Sequence, residues 1–102
     1  MPKSKFEVPT IQSKVVTSTT LKIYKSKLNK LADQNILRVS DILQNQDKVI
    51  EIAKQDTDNH PAKMRLFLSA VFYVLSDVPL EAKLKLYNAF QNYKDEEYRK
   101  PL

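Results

Sequence analysis

The sequence contains no glycine and no cysteine among its 102 residues. Tight β-hairpin turns usually need glycine, often beside asparagine, to reach positive φ, whereas junctions between helices can be built with asparagine and proline. The absence of glycine therefore disfavours a β-rich fold, and it excludes the glycine loops that cradle phosphates in nucleotide-binding enzymes. The absence of cysteine excludes disulfides and thiolate metal ligands, so packing must hold the domain together.

Long apolar segments are also missing. No run of about 18 apolar residues is present, which excludes a membrane-spanning helix, and the opening MPKSKFE lacks the apolar region of a signal peptide. We therefore expect an intracellular protein, cytoplasmic or nuclear, that is not secreted. A length of 102 residues, 42% hydrophobic and 28% charged, predicts one globular domain with a single modest core.

Catalytic and metal-binding side chains are scarce. The single histidine, His60, has no second imidazole and no thiolate with which to build a zinc site. Asp56 and Asp58 are only superficially similar to a calcium loop, because the glycine and the distal glutamate of that motif are missing. No nucleophile stands in a recognisable catalytic signature. We predict a protein that is not an enzyme and needs no metal or other cofactor.

The charge is positive and unevenly distributed. The net charge is +5, from 17 basic and 12 acidic residues. Residues 1–32 carry seven lysines against Glu7, whereas residues 33–59 carry a net charge of −3 and residues 60–102 a net charge of +2. This excess favours an anionic partner that binds near the N-terminal end.

Hydrophobic periodicity and capping residues predict helices in the first half of the chain. Residues 1–17 have no helical period and are expected to form an extended or flexible arm. Thr17 or Ser18 suits an N-cap, and a first helix is expected from Thr19 to about Asp33. Ser40 is expected to cap a short second helix over residues 41–44.

The second half of the chain continues the pattern. A third helix should begin at Asn45 or Gln46 and end in a polar loop over residues 55–59. Asn59 as a cap, followed by Pro61 in the first turn, predicts a fourth helix to about Leu75. Apolar residues cover most of the circumference of this fourth helix, which makes it the central helix of the bundle.

A last amphipathic helix is predicted by the spacing of Leu80, Leu84, Tyr87 and Phe90, and it should run to about Lys94 or beyond. A charged tail over residues 95–102 follows. The predicted fold is therefore all-α, an orthogonal bundle of four to five helices over residues 18–94.

Two polar surfaces are candidates for binding. Lysines cover the polar side of the first helix, and three hydroxyls stand at its positive end, where free amides accept phosphate. These residues are Lys22, Lys25, Lys27, Lys30, Ser18, Thr19 and Thr20. In the fourth helix Arg65, Ser69 and Tyr73 recur every four residues and form a polar stripe. Each surface is either a solvated helix face or a contact surface for an anion such as a DNA phosphate. In the fourth helix, Lys63 would join Arg65 in contacting phosphates.

Two segments resemble the N-terminal core-binding domain (SAM-like) of the tyrosine recombinases, the phage integrase family. STTLKIYKSKL, residues 18–28, resembles the family's S-x-x-T-x-x-x-Y-x-x-x-L helix opening, and RLFLSAV, residues 65–71, is similar to its R-x-x-L-S-A-I stretch. The likeness covers roughly residues 13–93. It implies that these two helices clamp duplex DNA. The DNA contacts that this resemblance implies are Thr20, Lys22, Lys25, Lys63, Arg65 and Ser69. Ser18 and Thr19 are added as candidates because their hydroxyls lie at the start of the first helix.

The family's catalytic domain, with its nucleophilic tyrosine, is not part of this sequence. The favoured function is therefore a module that binds double-stranded DNA in recombination or integration. The alternative is a structural or protein-interaction component, of a virus or mobile element, that uses this fold to dock a protein partner or a second copy of itself. The chain is either an excised domain or a stand-alone protein.

Overall fold

The computed structural model describes residues 5–9 and 16–98. Within these ranges the regular structure is helical and no β-strand occurs, which confirms the all-α helical bundle. The elements are α1 (Ser18–Ala32), α2 (Val39–Gln44), α3 (Gln46–Thr57), α4 (Pro61–Val74), a 3₁₀ turn (Leu80–Lys83) and α5 (Leu84–Tyr98).

Asparagine and aspartate replace glycine where helices end. Asn35 follows α1 with φ 68°, and Asp58 and Asn59 follow α3 with φ 56° and 58°. These are left-handed conformations, which short polar side chains tolerate better than other residues do. The chain thus turns between helices as the sequence predicted, without glycine.

Local capping chemistry sets the helix starts. Thr17 is the N-cap of α1, and its Oγ1 accepts a hydrogen bond from the Thr20 amide at 3.2 Å. Pro61 is the first residue of α4, as predicted, but the N-cap is His60. Asn59 was the wrong choice of cap because its left-handed backbone ends the preceding segment and its Oδ1 accepts from the Tyr93 hydroxyl at 2.6 Å.

Two predicted boundaries in α2 and α3 are wrong. Ser40 lies inside α2, whose N-cap is Arg38. The predicted polar loop over residues 55–59 begins too early, because α3 continues to Thr57. Thr57 is buried, and its hydroxyl donates to the Ala53 carbonyl at 2.7 Å. That internal hydrogen bond lets a polar residue complete the buried side of α3.

Helix α4 is the central helix, as predicted. It packs against α1, α3 and α5. Its buried residues lie around most of its circumference: Met64, Phe67, Leu68, Ala70, Val71, Tyr73 and Val74. They meet Leu28 and Leu31 of α1, Val49 of α3 and Leu86 of α5 in one core. The elements that carry the candidate binding residues are thus fixed to the same core.

The predicted apolar stripe of the last helix faces this core only in part, since Phe90 is half-buried and packs against it. Leu80 and Leu84 are each 48% exposed, whereas Leu86, which the stripe omits, is fully buried. The helix also continues through the charged residues 95–97 to Tyr98. The change of register leaves apolar residues on the surface beside α4.

Residues 5–9 of the arm have no regular secondary structure and pack against α1. Phe6 is 6% exposed and belongs to the core. Its amide donates to Asn29 Oδ1 at 3.1 Å, and the Glu7 amide donates to the Leu37 carbonyl at 2.7 Å. Phe6, the partly buried Val8 and these two hydrogen bonds therefore attach this part of the arm to the bundle.

Candidate nucleic-acid interface

One side of α1 carries basic residues next to the arm. Ser18, Lys22 and Lys25 are spaced by four and three residues, so they share a side of the helix. Asn29 continues that row and holds the amide of Phe6. The arm therefore runs along the same side of α1 as these candidates.

Lys5 of the arm joins this basic surface. It lines, together with Lys25, a shallow groove of about 390 Å³ at the junction of arm and helix. Phe6 packs in the core, whereas Lys5 and Glu7 on either side of it are exposed. We call Lys5, Ser18, Lys22 and Lys25 the arm face; all four are exposed.

The lysines of the arm face have no carboxylate partner among the described residues. None of Lys5, Lys22 and Lys25 has an ion pair within 4.0 Å in that part of the chain. Glu7 lies two residues from Lys5 in the arm, and it offsets one of the three positive charges of the arm face. The arm face thus keeps ammonium groups available for an anionic ligand.

The opposite side of α1 uses its lysines internally. Lys27 and Lys30 each place their Nζ 3.6 Å from a carboxylate oxygen of Asp56 in α3. The Asp56 side chain is 17% exposed and the Lys27 side chain 26% exposed, so this cluster is partly shielded from water. For these two lysines the structure favours a structural role, a tie between α1 and α3.

Hydroxyls at the start of α1 are divided between capping and solvent. The Thr17 hydroxyl donates to Thr20 Oγ1 at 2.9 Å and accepts from the Thr20 amide, so Thr20 belongs to the cap. Ser18 and Thr19 are exposed. Of these three candidates, Ser18 lies on the arm face.

The candidates in α4 are not assembled into one surface. Arg65 and Ser69 are one turn apart on the same side, and the Ser69 hydroxyl donates to the Arg65 carbonyl at 2.7 Å. Lys63 precedes Arg65 by two residues, which places it about 160° away around the helix. The hydroxyl proton of Ser69 is already used within α4, and Lys63 faces a different direction from Arg65.

Ser69 instead opens onto an apolar groove that the sequence analysis missed. This groove has a volume of about 450 Å³ and lies between α1, α4, the 3₁₀ turn and α5. Its other lining residues are Tyr24, Phe72, Leu80, Lys83, Tyr87 and Phe90. The spacing of Leu80 and Tyr87 predicts an apolar helix face, but it does not indicate that part of this face stays uncovered.

Comparisons with known proteins find no match: no family model, no curated protein and no solved structure is similar to the chain. Within residues 5–9 and 16–98 no three His, Cys, Asp or Glu side chains are grouped so that they could hold a metal ion. No helix in the described ranges is long and apolar enough to cross a membrane.

Proposed function

We propose that the chain is a DNA-binding module that contacts the phosphates of a duplex through its arm face. The observation that carries this proposal is the set of exposed ammonium groups of Lys5, Lys22 and Lys25, which have no described carboxylate partner. Unpaired lysines on one side of a domain are the electrostatic footprint of a polyanion-binding surface.

The geometry of α1 suits neighbouring phosphates. Lys22 and Lys25 are about 4.5 Å apart along the helix axis, and their flexible four-carbon side chains allow the two ammonium groups to reach separate phosphates. Lys5 extends the same surface from the arm. Ser18, at the positive end of the helix dipole, adds a hydroxyl donor to this surface.

The resemblance to tyrosine recombinase core-binding domains is a second support. It rests on the segments 18–28 and 65–71, of which only the first contributes to the arm face. We therefore propose that contacts come mainly from α1 and the arm, and that Ser69 acts within α4. Such contacts bind the duplex backbone with little dependence on sequence.

The test is a fluorescence-anisotropy titration of a labelled duplex at about 50 mM and 200 mM salt. Each phosphate neutralised by lysine contributes about −0.9 to the slope of log affinity against log salt. Three lysines predict a slope of about −2.7 and a loss of affinity of about 40-fold over this range. The double variant Lys22→Ala, Lys25→Ala should retain a slope of about −0.9 and lose only about 3.5-fold.

The matched control removes the same charge elsewhere. Lys48 of α3 and Lys94 of α5 are exposed and have no ion pair among the described residues. Lys48→Ala with Lys94→Ala should leave the salt slope close to that of the unaltered protein. Equal slopes in the two double variants would show attraction by net charge and refute the arm face. No binding at low salt would refute DNA binding and leave the protein-interaction alternative.

A further inference from the structure

The apolar groove is lined mainly by aromatic and aliphatic side chains that the bundle leaves partly exposed. Phe72 and Phe90 pack edge to face with ring centroids 5.4 Å apart, and Tyr24 closes the groove from α1. Leu80 is 48% exposed at the rim. Leu84 is equally exposed and shares a side of α5 with Tyr87, three residues later. Leu80, Tyr87 and the two phenylalanines line the same groove, and exposed apolar surface of this kind in a small domain marks an interaction site.

One positively charged side chain, Lys83, lines this apolar groove. Lys83 is half-buried, and it is the one charged residue among those that line the groove in the described part of the chain. Its Nζ donates to the Leu75 carbonyl at 2.8 Å and stands 5.8 Å from the centre of the Phe72 ring. An ammonium group has three donors. Two of them remain, and no described carboxylate lies within ion-pair distance of Lys83.

This combination of charge and shape selects the kind of occupant. A half-buried ammonium beside aromatic rings is best satisfied by a carboxylate, because charge-assisted hydrogen bonds strengthen where water is excluded. A second copy of this chain brings a net charge of +5 and hence repulsion. DNA offers anions but little apolar surface for Leu80 and Leu84. An acidic partner with apolar side chains meets both requirements.

We propose that the apolar groove binds an acidic amphipathic segment of a partner protein. Large apolar side chains of the segment occupy the space beside Phe72 and Phe90, and an Asp or Glu of the segment pairs with Lys83. A groove volume of about 450 Å³ accommodates a few such side chains. This is the helix-in-groove type of recognition, in which apolar anchors recur every three or four residues. The function goes beyond DNA binding, since no residue of the arm face lines the groove.

The experiment is a selection of random-sequence peptides, displayed on phage, on the immobilised full chain. The expected winners carry apolar residues at spacings of three or four together with Asp or Glu. Their affinities for purified variants are then measured by anisotropy. Lys83→Gln, which keeps a donor for the Leu75 carbonyl, should weaken binding at least tenfold, whereas Lys83→Arg should retain it. Winning peptides whose carboxylates are replaced by amides should lose affinity to the same extent.

The matched control uses a leucine that is exposed elsewhere. Leu66 in α4 is 41% exposed and does not line the groove. Leu80→Asp should abolish peptide binding and Leu66→Asp should leave it unchanged, with circular dichroism confirming that both variants are folded. Peptides without acidic residues, or equal binding by the two leucine variants, would overturn the proposal. So would self-association of the chain that Leu80→Asp abolishes, because the occupant would then be a second copy.

Discussion

Replacing Phe6 with alanine tests whether the arm is part of the folded domain. The side chain is 6% exposed, and burial of a phenylalanine contributes about 1.5–3 kcal/mol before any cavity is counted. Substitution of a buried Phe by Ala costs about 3–5 kcal/mol when the cavity persists. In the variant the arm can also detach from the bundle, and then it encloses no cavity. We therefore expect a loss at the lower end of this range. We expect Phe6→Ala to reduce the free energy of unfolding by about 3 kcal/mol.

Thermal unfolding followed by circular dichroism measures this loss. For a domain of this size each kcal/mol lowers Tm by about 4–8 °C, so a decrease of about 12 °C or more is expected. The Glu7 amide donates a hydrogen bond to the Leu37 carbonyl, so its hydrogen exchange should accelerate in the variant. Glu7→Ala is the control, because its exposed side chain should change the stability by less than about 0.5 kcal/mol. Equal stability of the two variants would refute the packing of Phe6.

Two further substitutions test the α1–α3 tie and a left-handed junction. Asp56→Asn should lower the free energy of unfolding by about 1 kcal/mol in low salt, because two partly shielded ion pairs are lost at once. Urea titrations should show a smaller loss at about 1 M salt. A loss that does not depend on salt would contradict the electrostatic explanation. Asp58→Gly should raise the stability by up to about 1 kcal/mol in the same assay, because φ is 56° there and glycine adopts it without steric cost. Gln55→Gly, inside α3, should lower the free energy of unfolding by about 1 kcal/mol. If both glycine variants changed the stability in the same direction, the backbone explanation would be refuted.

Local chemistry explains which features were predictable from the sequence. The cap at Thr17 and the start at Pro61 depend on neighbours within three residues, so the sequence contains the necessary information. The register of the last helix does not. Leu80 and Leu84 share a side only if the helix advances by about 100° per residue. A 3₁₀ turn occupies Leu80–Lys83 and advances by about 120° per residue, which separates the two leucines.

The division of the lysines depends on tertiary contacts. Lys27 and Lys30 meet a carboxylate that lies 26 residues or more away in sequence, and no helical period indicates that contact. The separation of Lys63 from Arg65, in contrast, was predictable, because residues two apart on a helix never share a side. The apolar groove could not be predicted from the sequence, because its lining residues come from four separate elements.

The two sides of α1 also give the molecule an electrical orientation. On the α3 side Lys27 and Lys30 are compensated by Asp56, and residues 33–59 carry a net charge of −3. On the arm side Lys5, Lys22 and Lys25 form no ion pair among the described residues, and Glu7 offsets only one of their three charges. The bundle is therefore an electric dipole, and a polyanion attracts its positive pole before any contact forms. Such alignment during diffusion narrows the orientational search that otherwise slows association, so the effect appears as an association rate that falls as salt is added.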